Sequence, residues 1–144
     1  MRLPDANVLI YAVSSGLPHH DISRNWLDRA VDGDEPIGFA WLVLIAFLRI
    51  TTSRVIFPQP VSADEALDAI EGWLDRDATI LLEPGPDHLR RVRELLHVTG
   101  SGGNLVNDSH LAALALAHRA TVITFDNDFG RFPGVRWQRP DEID

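Results

Sequence analysis

Short apolar runs alternate with longer amphipathic segments along this chain, and the alternation predicts strands separated by helices. The predicted strands begin at residue 3 and continue at 36–39, 79–82, 120–125 and 135–138. The predicted helices cover about 18–31, 41–53, 62–74, 87–98 and 105–119, and a further helix begins near Asn7. Strands that alternate with helices favour an α/β fold, in which a parallel sheet is covered on both faces.

Local signals support these elements. In the helix over 18–31, Ile22, Trp26, Leu27 and Ala30 recur at the helical spacing. The next-but-one helix opens with Ser62-Ala-Asp-Glu, the capping pattern in which a serine precedes a glutamate by three residues. The segment 99–104, rich in glycine, predicts a flexible loop. No interdomain linker is visible, so one domain over residues 1–144 is expected.

Three aspartates are predicted to meet at one edge of the sheet. Asp5 directly follows the first strand and Asp126 follows the fourth, so both lie at the carboxyl edge, where open α/β sheets bind ligands. Asp108 lies in the first turn of a helix that ends at Arg119 and leads directly into the fourth strand. Because that helix ends near the start of the strand, its own start must lie at the opposite edge, beside the other two carboxylates.

Carboxylates that crowd together repel one another, so such a cluster requires either a bound cation or raised pKa values. We therefore predict a divalent-metal site. Each aspartate also has an ordinary structural explanation: Asp108 could cap its helix, Asp126 could sit in a turn, and Asp5 could end a strand. Convergence of all three at one edge makes the metal site the preferred hypothesis.

Several polar residues flank these carboxylates. Asn7 is close enough in sequence to orient Asp5, and Thr124 lies on the same strand face as Asp126. Asp128 either adds a fourth carboxylate or caps the following turn. Arg49 could contact a substrate phosphate or pair with one of the acids.

Two asparagines and six histidines have less specific roles. Asn104 and Asn107 flank the helix entry, and capping is the expected role for at least one of them. The histidines, which include His19, His20 and His110, show no metal-binding spacing, so surface or packing roles are expected for them.

Composition narrows the class of protein without fixing its partner. The chain has 144 residues, of which 45% are hydrophobic, and it has no cysteine, which excludes disulfides and thiolate chemistry. No apolar run reaches the roughly 20 residues needed to span a bilayer, and no signal peptide is evident, so a cytoplasmic location is expected. The net charge of −8 is concentrated on the helix over 62–74, and all 13 basic residues are arginine. Charge alone therefore does not decide whether the partner is a polyanion.

Four segments in order resemble the PIN-domain ribonucleases, and in particular the VapC toxins of bacterial toxin–antitoxin pairs. These segments are 5–12, 47–52, 103–113 and 124–129, and the resemblance extends over essentially the whole chain. It implies a three-layer α/β/α sandwich with a mostly parallel central sheet, and a homodimer that cuts RNA with Mg²⁺ or Mn²⁺. It also implies a cognate VapB-type antitoxin, whose tail would cover the acidic cleft.

The resemblance assigns roles to individual residues. Asp5, Asp108 and Asp126 correspond to the metal-binding carboxylates, with Asp128 as an additional acid and Asn7 and Thr124 as polar helpers. One position departs from the pattern: the family usually has a glutamate where this chain has Ala46, three residues before Arg49 on one helix face. The chain is then either a nuclease with one metal or weakened activity, or one altered at this position to make it harmless. A catalytically inactive binding module is a third alternative.

The chemistry expected from these residues is hydrolysis of an RNA phosphodiester, with a bound cation polarising the phosphate and activating a water molecule. Two other classes of protein also gather aspartates at strand ends. A receiver domain and a haloacid-dehalogenase-type phosphatase both require a lysine near the site, and this chain has none. The phosphatase further requires a second aspartate at the position of Asn7.

Overall fold

A computed structural model of the protein describes residues 1–100 and 103–143, and its framework is one five-stranded sheet. The strands are β1 (Arg2–Pro4), β2 (Ile37–Ala40), β3 (Thr79–Leu82), β4 (Thr121–Ile123) and β5 (Arg136–Gln138). Their order is β3-β2-β1-β4-β5, and every neighbouring pair is parallel. The α/β class and the parallel sheet predicted from the sequence are confirmed.

Within residues 1–100 and 103–143, six α-helices flank the sheet. They are α1 (Ala6–Val13), α2 (His20–Val31), α3 (Trp41–Thr51), α4 (Ala63–Leu74), α5 (His88–Thr99) and α6 (Asn104–His118), and two 3₁₀ turns cover Asn127–Arg131 and Pro140–Glu142. Helix α4 begins as its sequence predicts, because the Ser62 hydroxyl accepts the Glu65 amide at 3.1 Å. Of the predicted loop over 99–104, Thr99 belongs to α5, α6 begins at Asn104, and residues 101–102 lie outside the described chain.

One predicted strand is too long. The run 120–125 is apolar enough to continue as a strand, yet β4 ends at Ile123. After Ile123 the backbone turns, because the Asp126 amide donates to the Thr124 hydroxyl at 3.0 Å. The strand therefore gives way to a side-chain-stabilised turn where the site begins.

The core lies between the sheet and its helices. Leu3, Phe39 and Val122 from three strands are fully buried, as are Leu9 of α1 and Leu44 of α3. Burying each such side chain stabilises the fold by roughly 1.5–3 kcal/mol relative to leaving it exposed. Within the described ranges, no helix is both long and apolar enough to cross a membrane.

The strand order places a crevice beside the central strand. From β1 the chain adds β2 and β3 on one side, then returns to add β4 and β5 on the other. In open parallel sheets, ligands bind at such a switch point, outside the carboxyl ends of the strands. The register pairs Pro4 with Ile123, so the residues that follow them leave β1 and β4 side by side.

Candidate metal centre

Asp5 ends β1 and begins α1. As the N-cap of that helix, it accepts the Ala6 amide through Oδ1 at 2.7 Å. Its other oxygen, Oδ2, accepts the Thr124 hydroxyl at 2.9 Å and the Asn7 side-chain amide at 3.2 Å. Both oxygens are therefore held in place, and the carboxylate has a fixed orientation.

Thr124 and Asn7 join α1 to the end of β4. Thr124 is fully buried, and its hydroxyl accepts the Asn7 side-chain amide at 3.1 Å while it donates to Asp5. Asn7 Oδ1 accepts the Phe125 backbone amide at 3.3 Å. The helper roles predicted for these residues stay predictions, but the network gives them the contacts that such roles require.

Asp126 and Asp128 lie on the turn that follows β4. Asp126 caps the 3₁₀ turn by accepting the Asp128 amide at 2.9 Å, so the capping role considered for Asp128 falls to Asp126. Ligand oxygens of Asp108, Asp126 and Asp128 all lie within 4.8 Å of one another. Carboxylate oxygens at this spacing are the hard ligands that Mg²⁺ and Mn²⁺ prefer.

Asp5 does not belong to that group of three, although it lines the same cavity as Asp108 and Asp126. Convergence of Asp5, Asp108 and Asp126 at one edge is therefore observed. Which of them bind a metal directly stays a prediction, and on the observed spacing Asp128 is nearer to a ligand position than Asp5.

Asp108 reaches the site from α6, although not from its first turn. The helix begins at Asn104 with Gly103 as N-cap, so Asp108 is in the second turn and does not cap the helix. Capping was expected for at least one of Asn104 and Asn107, but Gly103 holds the N-cap position and Asn107 lines the cavity. The prediction that the start of α6 lies at the carboxyl edge was correct, since α6 does run back into β4.

The electrostatics of the site are those of unneutralised acids. Burial, reinforced by the charges of Asp5, Asp126 and Asp128, raises the pKa of Asp108 from 3.8 to about 7. Burial also raises the pKa of Asp5, against the lowering effect of its hydrogen bonds from Thr124 and Ala6. Among the described residues, no ion pair includes any of these four carboxylates.

The cavity at the site has a volume of about 190 Å³ and one acidic side. Leu42, Val43 and Leu111 form its apolar wall, which the sequence analysis did not identify. Ala46 lines the cavity one helical turn after Leu42, so a glutamate at this position would face the carboxylates.

Arg49 is exposed and is not among the residues that line the cavity. Of the two roles considered for it, pairing with a site carboxylate does not occur in the described chain. Contact with a substrate phosphate stays a prediction.

Comparisons with known proteins show the family to which the chain belongs. A family model described as "PIN domain" matches residues 2–135. The sequence is 45% identical over 140 residues to ribonuclease VapC37 of Mycobacterium tuberculosis, with 97% of each chain covered. It is 38% identical over 140 residues to ribonuclease VapC43 of the same organism, covering 97% of this chain and 95% of that one.

The fold is similar to a chain in the structure of VapBC2 from Rickettsia felis bound to a promoter DNA fragment. The TM-score is 0.70 at 20% sequence identity, with 96% of this chain and 97% of that chain covered. At this identity the likeness concerns the fold alone, and it confirms the expected α/β/α arrangement. With the family model and the relatives matching nearly end to end, this chain belongs to the PIN-domain family and, within it, to the VapC proteins.

Proposed function

We propose that this protein is a divalent-cation-dependent endoribonuclease toxin that hydrolyses RNA phosphodiester bonds. One observation carries the proposal: three carboxylates lie within 4.8 Å of one another beside Asp5, with no cationic side chain among the described residues to neutralise them. A polyanionic substrate could not approach such a cluster unless external positive charge intervened. The curated relatives VapC37 and VapC43, named as ribonucleases, point to RNA as that substrate.

The residues present fit a hard divalent cation such as Mg²⁺ or Mn²⁺. Asp108, Asp126 and Asp128 would hold it, and Asp5 would add negative charge from the adjacent wall of the cavity. When bound, the cation supplies the charge that draws in a phosphate and lowers the pKa of an attacking water. Thr124 and Asn7 fix the Asp5 carboxylate and the backbone of Asp126, so the acids need little rearrangement as substrate arrives.

Protonation links cation binding to pH. With a pKa of about 7, Asp108 keeps its proton over much of the neutral range when no cation is present. A carboxylate must lose that proton to act as a ligand, so cation binding releases protons and strengthens as the pH rises through 7.

The alanine at position 46, where the family usually has a glutamate, favours a weaker form of the same activity. It lines the cavity, where it supplies no negative charge, so the site has fewer groups able to hold a second cation. The inactive binding module therefore remains the second candidate, and cleavage by the unmodified chain distinguishes the two.

The test is cleavage of a panel of labelled RNAs by the purified full chain in Mg²⁺, in Mn²⁺ and in chelator. We expect products with either cation and none in chelator. Asp126→Asn should reduce cleavage at least about 100-fold, whereas Asp32→Asn, the same change of charge at a remote surface site, should not. Undiminished cleavage by Asp126→Asn, or in chelator, would contradict the mechanism. Absence of cleavage by the unmodified chain on every RNA would favour the inactive module.

Two protein partners belong to the same proposal. We infer a VapB-type antitoxin, because the matched structure is a VapBC complex and because basic side chains of a bound tail could neutralise the acidic cavity. If a small antitoxin reading frame lies directly upstream of this gene, co-expression with its product should suppress cleavage.

The second partner is another copy of the chain. Trp41, Ile45 and Val106 are each about half exposed and border an apolar groove of about 620 Å³ next to the site. Apolar side chains grouped in this way are typical of interaction surfaces. Light scattering should show a dimer that Ile45→Arg dissociates. Val55→Arg, which replaces an exposed valine beyond the C-terminal end of α3, should leave the dimer intact.

A further inference from the structure

A stack of planar side chains adjoins the metal centre. The Phe125 and His19 rings are nearly parallel, with centroids 4.4 Å apart and an interplanar angle of 16°. The Arg139 guanidinium carbon lies 4.9 Å from the centre of the Phe125 ring. Tyr11 meets both rings edge-on, at 5.5 Å from His19 and 5.4 Å from Phe125.

The stack is attached to the residues that build the site. Phe125 stands between Thr124 and Asp126, so its Cα is about 3.8 Å from that of each neighbour. Its backbone amide donates to Asn7, which also bonds Asp5 and Thr124. The network that orients the carboxylates therefore also fixes the backbone position from which the Phe125 side chain extends.

Helix capping does not account for His19. It occupies the N-cap position of α2, where serine, threonine, aspartate or asparagine would bond the first amides, but its side chain makes no capping bond. Its backbone is left-handed, with φ at 67°, a conformation uncommon for residues other than glycine. The backbone adopts this conformation while the imidazole lies against Phe125 instead of the helix end.

The stack is partly open to solvent. His19, Phe125 and Arg139 are all partly exposed. Arg139 is also ion-paired with Asp141 at 3.1 Å, which holds its guanidinium plane in place and reduces its free charge. Aromatic rings and guanidinium planes are the groups on which proteins stack unpaired nucleic-acid bases.

We propose that His19, Phe125 and Arg139 form a platform that stacks the unpaired base of a nucleotide next to the scissile phosphate. These are positioning residues, and their chemistry selects RNA in which that base is free of a duplex. The inference rests on the proposed ribonuclease function, because the platform acts only if RNA reaches the carboxylates.

Cleavage kinetics provide the first test. His19→Asn removes the ring but keeps a residue that tolerates the left-handed backbone, and His19→Phe restores a planar ring. On a single-stranded RNA that the unmodified chain cuts, we expect His19→Asn to raise KM about 10-fold with kcat within about 2-fold. We expect His19→Phe to restore KM, and His97→Asn, on α5, to leave it unchanged. Unfolding temperatures of His19→Asn and His97→Asn should agree with that of the unmodified chain, whereas that of His19→Phe should be somewhat lower, because phenylalanine tolerates the left-handed backbone less well.

A fluorescence measurement provides a second test that does not depend on cleavage. A single-stranded RNA carrying 2-aminopurine is titrated with the Asp126→Asn chain at an Mn²⁺ concentration high enough to offset its weaker cation binding, and stacking should quench the probe. Adding His19→Asn to that chain should abolish the quenching, and annealing the RNA to its complement should prevent it.

The outcomes separate the two proposals. Equal KM values for His19→Asn and the unmodified chain would overturn the platform while leaving the ribonuclease function intact. A KM raised equally in His19→Asn and His19→Phe would assign His19 a purely structural role. That result would also overturn the platform. If no RNA is cut, the ribonuclease proposal fails, and unchanged quenching by the His19→Asn chain then overturns the platform independently.

Discussion

The two edges of the sheet differ in whether their acidic side chains are paired with basic groups. At the amino edge, Glu35 pairs with the chain's terminal ammonium at 3.3 Å and with Arg2 at 3.1 Å, and Asp32 pairs with Arg76 at 2.9 Å. At the carboxyl edge, four carboxylates crowd together, and none of the ion pairs of the described residues includes them.

The difference shows that acids at the amino edge are paired with cations of the chain, whereas those at the carboxyl edge are not paired among the described residues. Exposed pairs such as Glu35 with Arg2 contribute only about 0–1 kcal/mol each, but they leave no uncompensated charge. The carboxyl edge instead raises the pKa of Asp108 to about 7, because burial and like charges disfavour its ionised form. Among the described residues nothing neutralises that edge, so it is where the proposed cation would bind.

The largest expected effect comes from removing one acid at the carboxyl edge. Asp108→Ala, Asp126→Ala or Asp5→Ala should each reduce RNA cleavage at least about 100-fold, because the cation would lose a ligand or its supporting charge. Glu35→Ala is the matched change at the amino edge and should leave the cleavage rate unaltered. Equal losses from both edges would show that the acids act only on folding.

The next effect comes from the hydroxyl that links the acids. Thr124→Val keeps the shape of the side chain but removes the bonds to Asp5, Asn7 and the Asp126 amide. Loss of such an orienting partner typically reduces metal affinity or activity about 10–100-fold. Thr121→Val, at the start of β4, is the control, and single-turnover cleavage rates provide the measurement. Activity within about 2-fold of the unmodified chain would contradict an orienting role.

Stability should respond to pH through Asp108 when no metal is present. Between about pH 4 and 7 the unfolded chain loses this proton while the folded chain keeps it, so raising the pH across this window destabilises the fold. Asp108→Asn should therefore increase the free energy of unfolding at pH 8, by roughly 1–2 kcal/mol after allowance for solvent screening. It should also flatten the decline in unfolding temperature between pH 5 and 8. If Asp108→Asn in chelator were no more stable than the unmodified chain at pH 8, the claim that the cluster is unneutralised would be contradicted.

The smallest effect expected is a gain. Ala46→Glu adds a carboxylate to the cavity wall and should tighten Mn²⁺ binding several-fold, since each added ligand charge favours the cation. Gln59→Glu adds the same charge away from the cavity and serves as the control. An identical Mn²⁺ isotherm for Ala46→Glu and Gln59→Glu would show that position 46 does not influence the site.

Sequence reasoning was most accurate where topology alone decides position. Asp5 and Asp126 follow neighbouring parallel strands, so their arrival at one edge required only the strand pattern. Asp108 required one further step through the helix that runs back into β4. Ala46, which lines the cavity, was identified through the family resemblance. The placements of the aspartates depend on the hydrophobic periodicity of helices and strands and on the direction in which each element runs, both of which the sequence pattern indicates.

Contacts at ångström scale could not be predicted in this way. The trio of Asp108, Asp126 and Asp128 depends on the tight 3₁₀ turn after β4. The apolar run 120–125 predicts a longer strand and so gives no sign of where β4 ends. The stack of His19, Phe125 and Arg139 joins three loops that are distant in sequence, and no period relates them. The one available signal was a phenylalanine placed directly between two site residues.

Calorimetric titration with Mn²⁺ at pH 7.5, without RNA, tests the cation site most directly. The unmodified chain should bind Mn²⁺ saturably, and Asp126→Asn should bind it at least about 10-fold more weakly, while Asp32→Asn binds as the unmodified chain does. Superimposable isotherms for the unmodified chain and Asp126→Asn would contradict the claim that these distant acids share a cation.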